Sequence, residues 1–154
     1  MHFLRRFVLL VLVQALMAGA AFAQAKATPE QAKALAEKAV AHIKAVGPDK
    51  TFADFNARDG KWLDRELYII VIDFDGTMLA HGTNKALVGK PQLEMRDMNG
   101  KFMSQEMLDL AKSKGSGWVD YLWSNPVTKK IDPKSTYVLR IAGFDGFLGV
   151  GIYK

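Results

Sequence analysis

Asp73 and Asp75 are residues whose type and spacing could do chemistry. The two carboxylates lie two positions apart at the end of the longest apolar, β-branched run beyond residue 23, and Gly76 follows them. Asp-Gly is also the dipeptide that most strongly indicates a two-residue hairpin turn. The segment therefore has two interpretations: a pair of reacting carboxylates, or a turn in which Asp73 caps or hydrogen-bonds the connection.

Residues 70–77, Ile-Val-Ile-Asp-Phe-Asp-Gly-Thr, resemble motif one of haloacid-dehalogenase-type phosphatases. The resemblance implies that Asp73 attacks the phosphoryl group, that Asp75 protonates the leaving group and that Mg²⁺ offsets their charge. Such an enzyme also requires a downstream lysine and a further acidic pair on a parallel sheet. The sequence after Thr77 has no strand-terminal acidic pair and no alternation of helices and strands. We keep the phosphatase as an alternative and predict no enzyme, no catalytic residue and no cofactor.

His81 is the most informative titratable residue of the same hairpin. Pairing two strands around Asp75 and Gly76 places His81 opposite Ile70, on the sheet face that also holds Tyr68. In a pocket the imidazole could donate a hydrogen bond to a carboxylate, whereas in a packed strand it would be a satisfied structural group. The other histidines, at positions 2 and 42, give no converging set of ligands, so we predict no metal site.

Aromatic residues are concentrated in a predicted strand over residues 117–123. Trp118, Tyr121 and Trp123 could form the walls of a small-ligand site, with the tyrosine hydroxyl as its polar group. Core packing is the alternative, and we favour it for Trp118, which alternation places on the other face of the strand. Lys134 and Arg140 are the cations available to bind an anion, and either is otherwise a surface charge.

The N-terminus predicts export. Residues 1–23 have a short basic start, an apolar run and an Ala-Phe-Ala end, which is the pattern of a cleaved signal peptide. Its removal takes away two arginines and lowers the formal net charge from +5 to +3, too little to predict nucleic-acid binding. The chain has no cysteine, which excludes disulfides and thiolate sites. We expect one periplasmic domain over residues 24–154, with no membrane contact after cleavage.

Helical periodicity predicts three helical segments. Thr28 caps a long helix that Gly47-Pro48 ends, and its inner face is mostly alanine. A helical turn over residues 51–57 and a helix over 104–114 follow. Because the alanine-rich face permits close packing, we expect the long helix to lie against the sheet.

The strands predict an antiparallel sheet. A second hairpin, with strands over residues 137–144 and 147–153, turns at Asp145-Gly146. Together with the first hairpin and the aromatic strand it gives about five antiparallel strands, an α+β fold with the helices outside the sheet. Gly149 and Gly151 share one face of the last strand, and we expect the long helix to approach them there.

Several short segments resemble, in their order, the single Cache domain, type 2. They are residues 67–81, 89–90, 97–101, 115–123 and 134–138, and the resemblance runs from about residue 32 to 154. It implies a PAS-like fold and a pocket for small extracytoplasmic ligands, often short carboxylates, in the outer part of chemoreceptors and sensor kinases. Lys134 matches a position of the family. Because nothing follows Lys154 in this sequence, we expect a free-standing module, and direct signalling across the membrane is in doubt.

These observations predict a non-enzymatic periplasmic module that binds a short organic acid or a similar metabolite. Its partner would be a membrane receptor or a sensor kinase, for chemotaxis or signal transduction. An interaction module whose pocket is filled by its own side chains is a further alternative. The predicted ligand-binding residues are Tyr68, His81, Trp118, Tyr121, Trp123 and Lys134.

Overall fold

The computed structural model of the chain describes residues 26–57 and 59–154. The predicted signal peptide, residues 1–23, lies outside the described part. Within the described ranges, no helix has the length and apolar character that crossing a membrane requires.

Two helices begin the described chain, α1 (Pro29–Val46) and α2 (Pro48–Asn56). Thr28 and Gln31 form the predicted capping box, in which each side chain accepts a hydrogen bond from the other's backbone N–H. Gly47, with φ of 87°, ends α1, and Pro48 then starts α2 at once. The shorter helix therefore begins three residues before its predicted start.

Six strands form one antiparallel sheet, and α3 (Met103–Ser113) precedes the fourth. The strands are β1 (Leu63–Asp64), β2 (Leu67–Asp73), β3 (Met78–His81), β4 (Ser116–Ser124), β5 (Ile131–Arg140) and β6 (Gly146–Tyr153). The sheet order is β2-β6-β5-β4, and β1 and β3 both pair with β2. This arrangement confirms the predicted α+β, PAS-like class.

The sheet has two buried faces, which we name after the helices that cover them. The α1 face packs on the alanines of α1 and contains Ile69, Val71, Leu148 and Val150. The α3 face packs on α3 and contains Tyr68, Ile70, Ile72, Val119, Tyr121 and Phe147. Successive side chains of a strand point to opposite faces of the sheet, so odd-numbered and even-numbered residues of one strand lie on different faces.

The first hairpin differs from its prediction near the turn. Asp73, rather than Phe74, pairs with Thr77, so three residues form the loop and Gly76 adopts a φ of 87°. Ile70 pairs with His81 as predicted. A register shift after Val71 then makes Met78 the partner of Ile72, where Leu79 was expected. Met78 therefore lies on the α3 face.

The second hairpin also turns differently from its prediction. Arg140 pairs with Phe147; β5 ends at Arg140 and β6 begins at Gly146, so residues 141–145 form a loop in place of the predicted two-residue turn. The register differs from the predicted one by four positions, an even number, so the predicted faces of both strands are retained.

The expected approach of α1 to Gly149 and Gly151 is wrong, because both glycines lie on the α3 face. A Cβ at Gly149 would meet Thr136 and Ile70, and a Cβ at Gly151 would meet Thr136 and Lys134. Side chains of the sheet itself occupy the space above these glycines, whereas the alanine face of α1 packs on the opposite side.

Asp97 attaches the connection between β3 and α3 to the edge strand β4. Its Oδ1 accepts hydrogen bonds from the backbone N–H groups of Asn99 and Lys101, both at 2.9 Å, and its Oδ2 accepts one from Leu122 at 3.0 Å. Lys101 Nζ donates to the carbonyl of Asp120. The side chains of this turn thus bond exposed backbone groups at the end of the sheet.

We predict that Asp97→Asn lowers the free energy of unfolding by about 2 kcal/mol near pH 7, the usual contribution of hydrogen bonds to a charged group. The amide oxygen of asparagine can accept the hydrogen bonds from Asn99 and Lys101. Its NH₂ group would then face the backbone N–H of Leu122, and two donors cannot bond each other. Urea unfolding measures the difference. The hydrogen bond from the backbone N–H of Leu122, together with those from Lys101 and Asn99, lowers the pKa of Asp97. The stabilisation should therefore be present above about pH 4 and lost as the pH falls further.

Asp109→Asn is the matched control, since Asp109 is exposed and accepts a side-chain bond from Gln105. Its effect should stay below about 0.5 kcal/mol. Equal losses in the two variants would contradict the assigned role of Asp97.

Candidate ligand pocket

A small cavity lies between the α3 face of the sheet, α3 and the connection that precedes it. Its volume is about 20 Å³, which accommodates about one water molecule. It is lined by Tyr68, Ile70, Ile72, Met78, His81, Gln92, Met95, Met103, Ser104, Met107, Tyr121 and Trp123. Four of the six predicted site residues therefore line one cavity.

Tyr68 and His81 form one side of this cavity. Their rings are stacked with centroids 5.0 Å apart, and both residues are buried. His81 Nδ1 accepts a hydrogen bond from the backbone N–H of Asn84 at 3.0 Å. Since an accepting ring nitrogen bears no proton, a neutral His81 bears its proton on Nε2. The imidazole is thus held as a donor through Nε2.

Lys134 lies behind Tyr68. Its Nζ donates a hydrogen bond to Tyr68 Oη at 2.7 Å and lies 4.0 Å from the centroid of the same ring. The residue is only 3% exposed, and burial lowers the pKa of Lys134 to about 7. Among the ion pairs of the described residues, none includes Lys134. The structure thus contains a buried amine whose neighbouring polar group is a tyrosine hydroxyl.

Three buried tyrosines in this region have neutral hydroxyls, and Lys134 Nζ bonds the hydroxyl of Tyr68 and lies 5.0 Å from the ring centroid of Tyr153. Tyr121 Oη lies 2.9 Å from Thr136 Oγ1, and Tyr153 Oη donates to the carbonyl of Ser124 at 2.7 Å. Burial raises the pKa of Tyr68, of Tyr121 and of Tyr153. All three stay protonated at neutral pH, so they can donate hydrogen bonds and cannot neutralise a cation.

The structure separates Trp118 from the other predicted site residues. Its side chain packs at the α1 face, with its ring 5.3 Å from that of Tyr137. Trp123 is a cavity-lining residue, 6.1 Å from the ring of Tyr121. Arg140, the other candidate cation, is exposed and lies over the ring of Phe74. Lys134 is therefore the cation next to the cavity-lining tyrosine.

Several lining residues were missed from the sequence. Met78, Met95, Met103 and Met107 all contact the cavity, as does the amide-bearing Gln92. Gln92 and Met95 belong to the polar connection over residues 82–102, where no periodicity indicates which side chains point inward. Met103 and Met107 are four residues apart on one helix, and this spacing could have indicated that both face the cavity.

Asp73 acts within the hairpin turn. Its Oδ1 accepts the backbone N–H of Thr77 at 2.7 Å, and its carbonyl accepts the N–H of Gly76 at 3.0 Å. β2, the strand that it ends, pairs antiparallel with both β3 and β6. The carboxylate thus performs the turn interaction that the sequence offered as its second interpretation.

A sequence profile of the family described as Single Cache domain 2 matches residues 8–154 of this chain. Two curated proteins are similar over shorter segments. The sensor histidine kinase MctS of Rhizobium johnstonii is 29% identical over 86 residues, and the methyl-accepting chemotaxis protein McpP of Pseudomonas putida is 27% identical over 90 residues. The matches cover 56% and 58% of this chain, but only 18% and 16% of the kinase and the chemotaxis protein.

Solved structures have the same fold. A periplasmic sensor domain of a chemotaxis protein is 31% identical, with a TM-score of 0.64 over 80% of this chain and 88% of its own. A Cache chemosensory domain, described for its carboxylic acid recognition, is 25% identical, with a TM-score of 0.68 over 80% and 91%. A methyl-accepting chemotaxis protein of Vibrio parahaemolyticus, at 23% identity and a TM-score of 0.69 over 80% and 86%, supports the fold alone.

We predict that Lys134→Met stabilises the unliganded protein, because it removes a buried amine and keeps an unbranched side chain. With the folded pKa at about 7, against an ordinary value of 10.5, the unfolded state binds more protons between these two pH values. The free energy of unfolding of the unsubstituted protein should therefore rise from about pH 7.5 to about pH 9.5, and that of the variant should not. Urea unfolding at both pH values tests this.

Lys130→Met is the matched control, because Lys130 is exposed in the connection between β4 and β5. This control should show the same rise as the unsubstituted protein. If the free energy of unfolding of Lys134→Met also rises over this pH range, the rise does not come from the buried amine of Lys134.

Proposed function

Because this chain belongs to the Single Cache domain 2 family, we propose that it is an extracytoplasmic sensor domain that binds a small ligand. The cavity on the α3 face is its binding site in this proposal. The binding residues are Tyr68, His81, Tyr121 and Trp123, which line the cavity, and Lys134, which lies behind Tyr68. Trp118 contributes through the core of the α1 face.

The ligand is a short organic acid in this proposal. The proposal depends on the buried amine of Lys134, which has a tyrosine hydroxyl as its partner and takes part in no ion pair among the described residues, because a carboxylate would supply a counter-charge. Tyr68 and His81 can donate hydrogen bonds to the same anion, through Oη and Nε2. Carboxylic acid recognition by a Cache domain of the same fold is consistent with this ligand class.

We further propose that residues 24–154 act in the periplasm after removal of the leader. Sensor kinases and chemotaxis proteins contain the related segments, so the signal would reach a receptor or kinase of one of these kinds. The aligned segments make up less than a fifth of those relatives.

A non-enzymatic role completes the proposal. The Asp73 carboxylate is engaged by Thr77, and β2 has antiparallel neighbours on both sides, where the phosphatase motif requires a parallel sheet.

We predict that acetate, propionate, pyruvate or lactate binds with an affinity that titration calorimetry can measure, and that Lys134→Met removes the binding. Since a bound carboxylate favours the protonated amine, binding takes up a proton above the unliganded pKa of about 7. The affinity should therefore fall roughly tenfold between about pH 7 and pH 8.5. Titrations in buffers of different ionisation enthalpy measure the proton uptake.

Lys130→Met should bind as the unsubstituted protein does. If none of the four acids binds, the carboxylate proposal is wrong, and an interaction module with a pocket filled by its own side chains becomes the better explanation of the small cavity.

We predict no turnover of a phosphate monoester in the presence of Mg²⁺. A colorimetric phosphatase assay measures it, and turnover that Asp73→Asn abolishes would establish the phosphatase instead. Because Asp73 closes the turn, the folding of this variant should be checked by circular dichroism.

A further inference from the structure

The methionines of the described residues are concentrated at one place. The described ranges contain five, and Met78, Met95, Met103 and Met107 all line the same small cavity. The fifth, Met98, is 75% exposed. A core that needed only apolar volume could use leucine or isoleucine at these positions, so the concentration indicates a requirement specific to this cavity.

The four methionines come from three separate segments. Met78 is on β3, Met95 is in the connection, and Met103 and Met107 lie one turn apart on the inner side of α3. We call these four side chains the methionine wall. Each is buried or partly buried in the core of the α3 face.

The side of the cavity nearest Lys134 is polar, and the lining beyond it is mostly apolar. Tyr68 and Ile72 are separated by four positions on β2, which is about 13 Å along an extended strand. Tyr68, next to Lys134 and His81, marks the polar end. Ile72 pairs with Met78 and marks the apolar end. A carboxylate placed near Lys134 in the proposed binding mode would extend its tail along β2 toward the methionine wall.

The cavity must enlarge to admit such a tail. Its volume of about 20 Å³ accommodates about one water molecule, less than any aliphatic acid requires. A methionine side chain has three rotatable bonds and no branch, so it can change its shape at lower cost than leucine or isoleucine. Buried cores otherwise resist such a change of volume.

A ligand with a second carboxylate would find no cation to pair with it beside the methionine wall. Lys134 lies behind Tyr68, and within the described chain no other lysine or arginine contacts a lining tyrosine or lines the cavity itself. Gln92 Nε2 is already bonded to the carbonyls of Lys90 and Pro91. An unpaired carboxylate buried against thioethers is strongly unfavourable.

We propose that the methionine wall determines ligand specificity by adjusting to unbranched aliphatic monocarboxylates of different length, from propionate to valerate, and by excluding dicarboxylates. This inference rests on the proposed carboxylate-binding function and names the residues that select the ligand tail.

Calorimetry with propionate, butyrate, valerate and succinate tests the inference. The unsubstituted protein should bind the three monocarboxylates within about tenfold of one another and succinate at least about tenfold more weakly. The double variant Met103→Leu/Met107→Leu conserves volume but introduces branched, stiffer side chains. It should bind propionate within about threefold of the unsubstituted protein and lose at least about tenfold for valerate. Met98→Leu is the matched control, and its affinities for the four acids should equal those of the unsubstituted protein.

Methyl NMR of ¹³C-methionine-labelled, unsubstituted protein gives a second readout that needs no core substitution. The signals of the methionine wall should shift more with valerate than with propionate, and that of Met98 should stay unchanged. Three results would overturn this inference and leave the proposed function standing. The double variant could bind propionate and valerate with the same affinity ratio as the unsubstituted protein, or succinate could bind as tightly as butyrate. The third result is a shift of the methionine-wall signals that is equal for all chain lengths. If no acid binds the unsubstituted protein, the proposed function is overturned together with it.

Discussion

The hydrogen bond between Lys134 and Tyr68 is the interaction on which the rest of the α3 face depends. Lys134 is on β5 and Tyr68 is on β2, and β6 lies between these strands. The lysine stem must therefore cross β6, and a side chain at Gly151 would occupy its path. The glycine, the long lysine side chain and the tyrosine hydroxyl depend on one another, which explains why a glycine lies near the C-terminal end of the central strand β6.

The two faces of the sheet meet different physical requirements. On the α1 face, Ala32, Ala36 and Ala39 are fully buried and allow the helix to lie close to the strands, and close packing of this kind makes a rigid support. The α3 face combines flexible thioethers with a buried amine and three neutral hydroxyls. Tyr121 and Trp118 are three positions apart on β4, an odd number, so Tyr121 lies on this adaptable face and Trp118 lies on the rigid one.

Local rules predicted much of the fold from sequence. The capping box at Thr28, the antiparallel hairpins and the faces of the aromatic strand follow from spacing and alternation, and the structure confirms them. Loop lengths were wrong, because Asp-Gly dipeptides also fit loops of three or more residues. The role of Gly151 and the methionine wall could not be predicted, since both depend on which strands are neighbours and on how an irregular connection covers them.

Burial of Lys134 links stability to the proposed binding. An amine removed from water, with a neutral hydroxyl as its partner, lowers the stability of the unliganded fold, and packing elsewhere must offset that cost. On the α1 face this packing is dense, and at the sheet edge Asp97 holds the connection that carries Gln92 and Met95. In the proposed complex a carboxylate would relieve the cost at Lys134, so part of the proposed affinity would come from the unfavourable burial of that amine. The two faces therefore contribute differently to one sheet: the first stabilises the fold, while the second holds the buried amine to which the proposed ligand would bind.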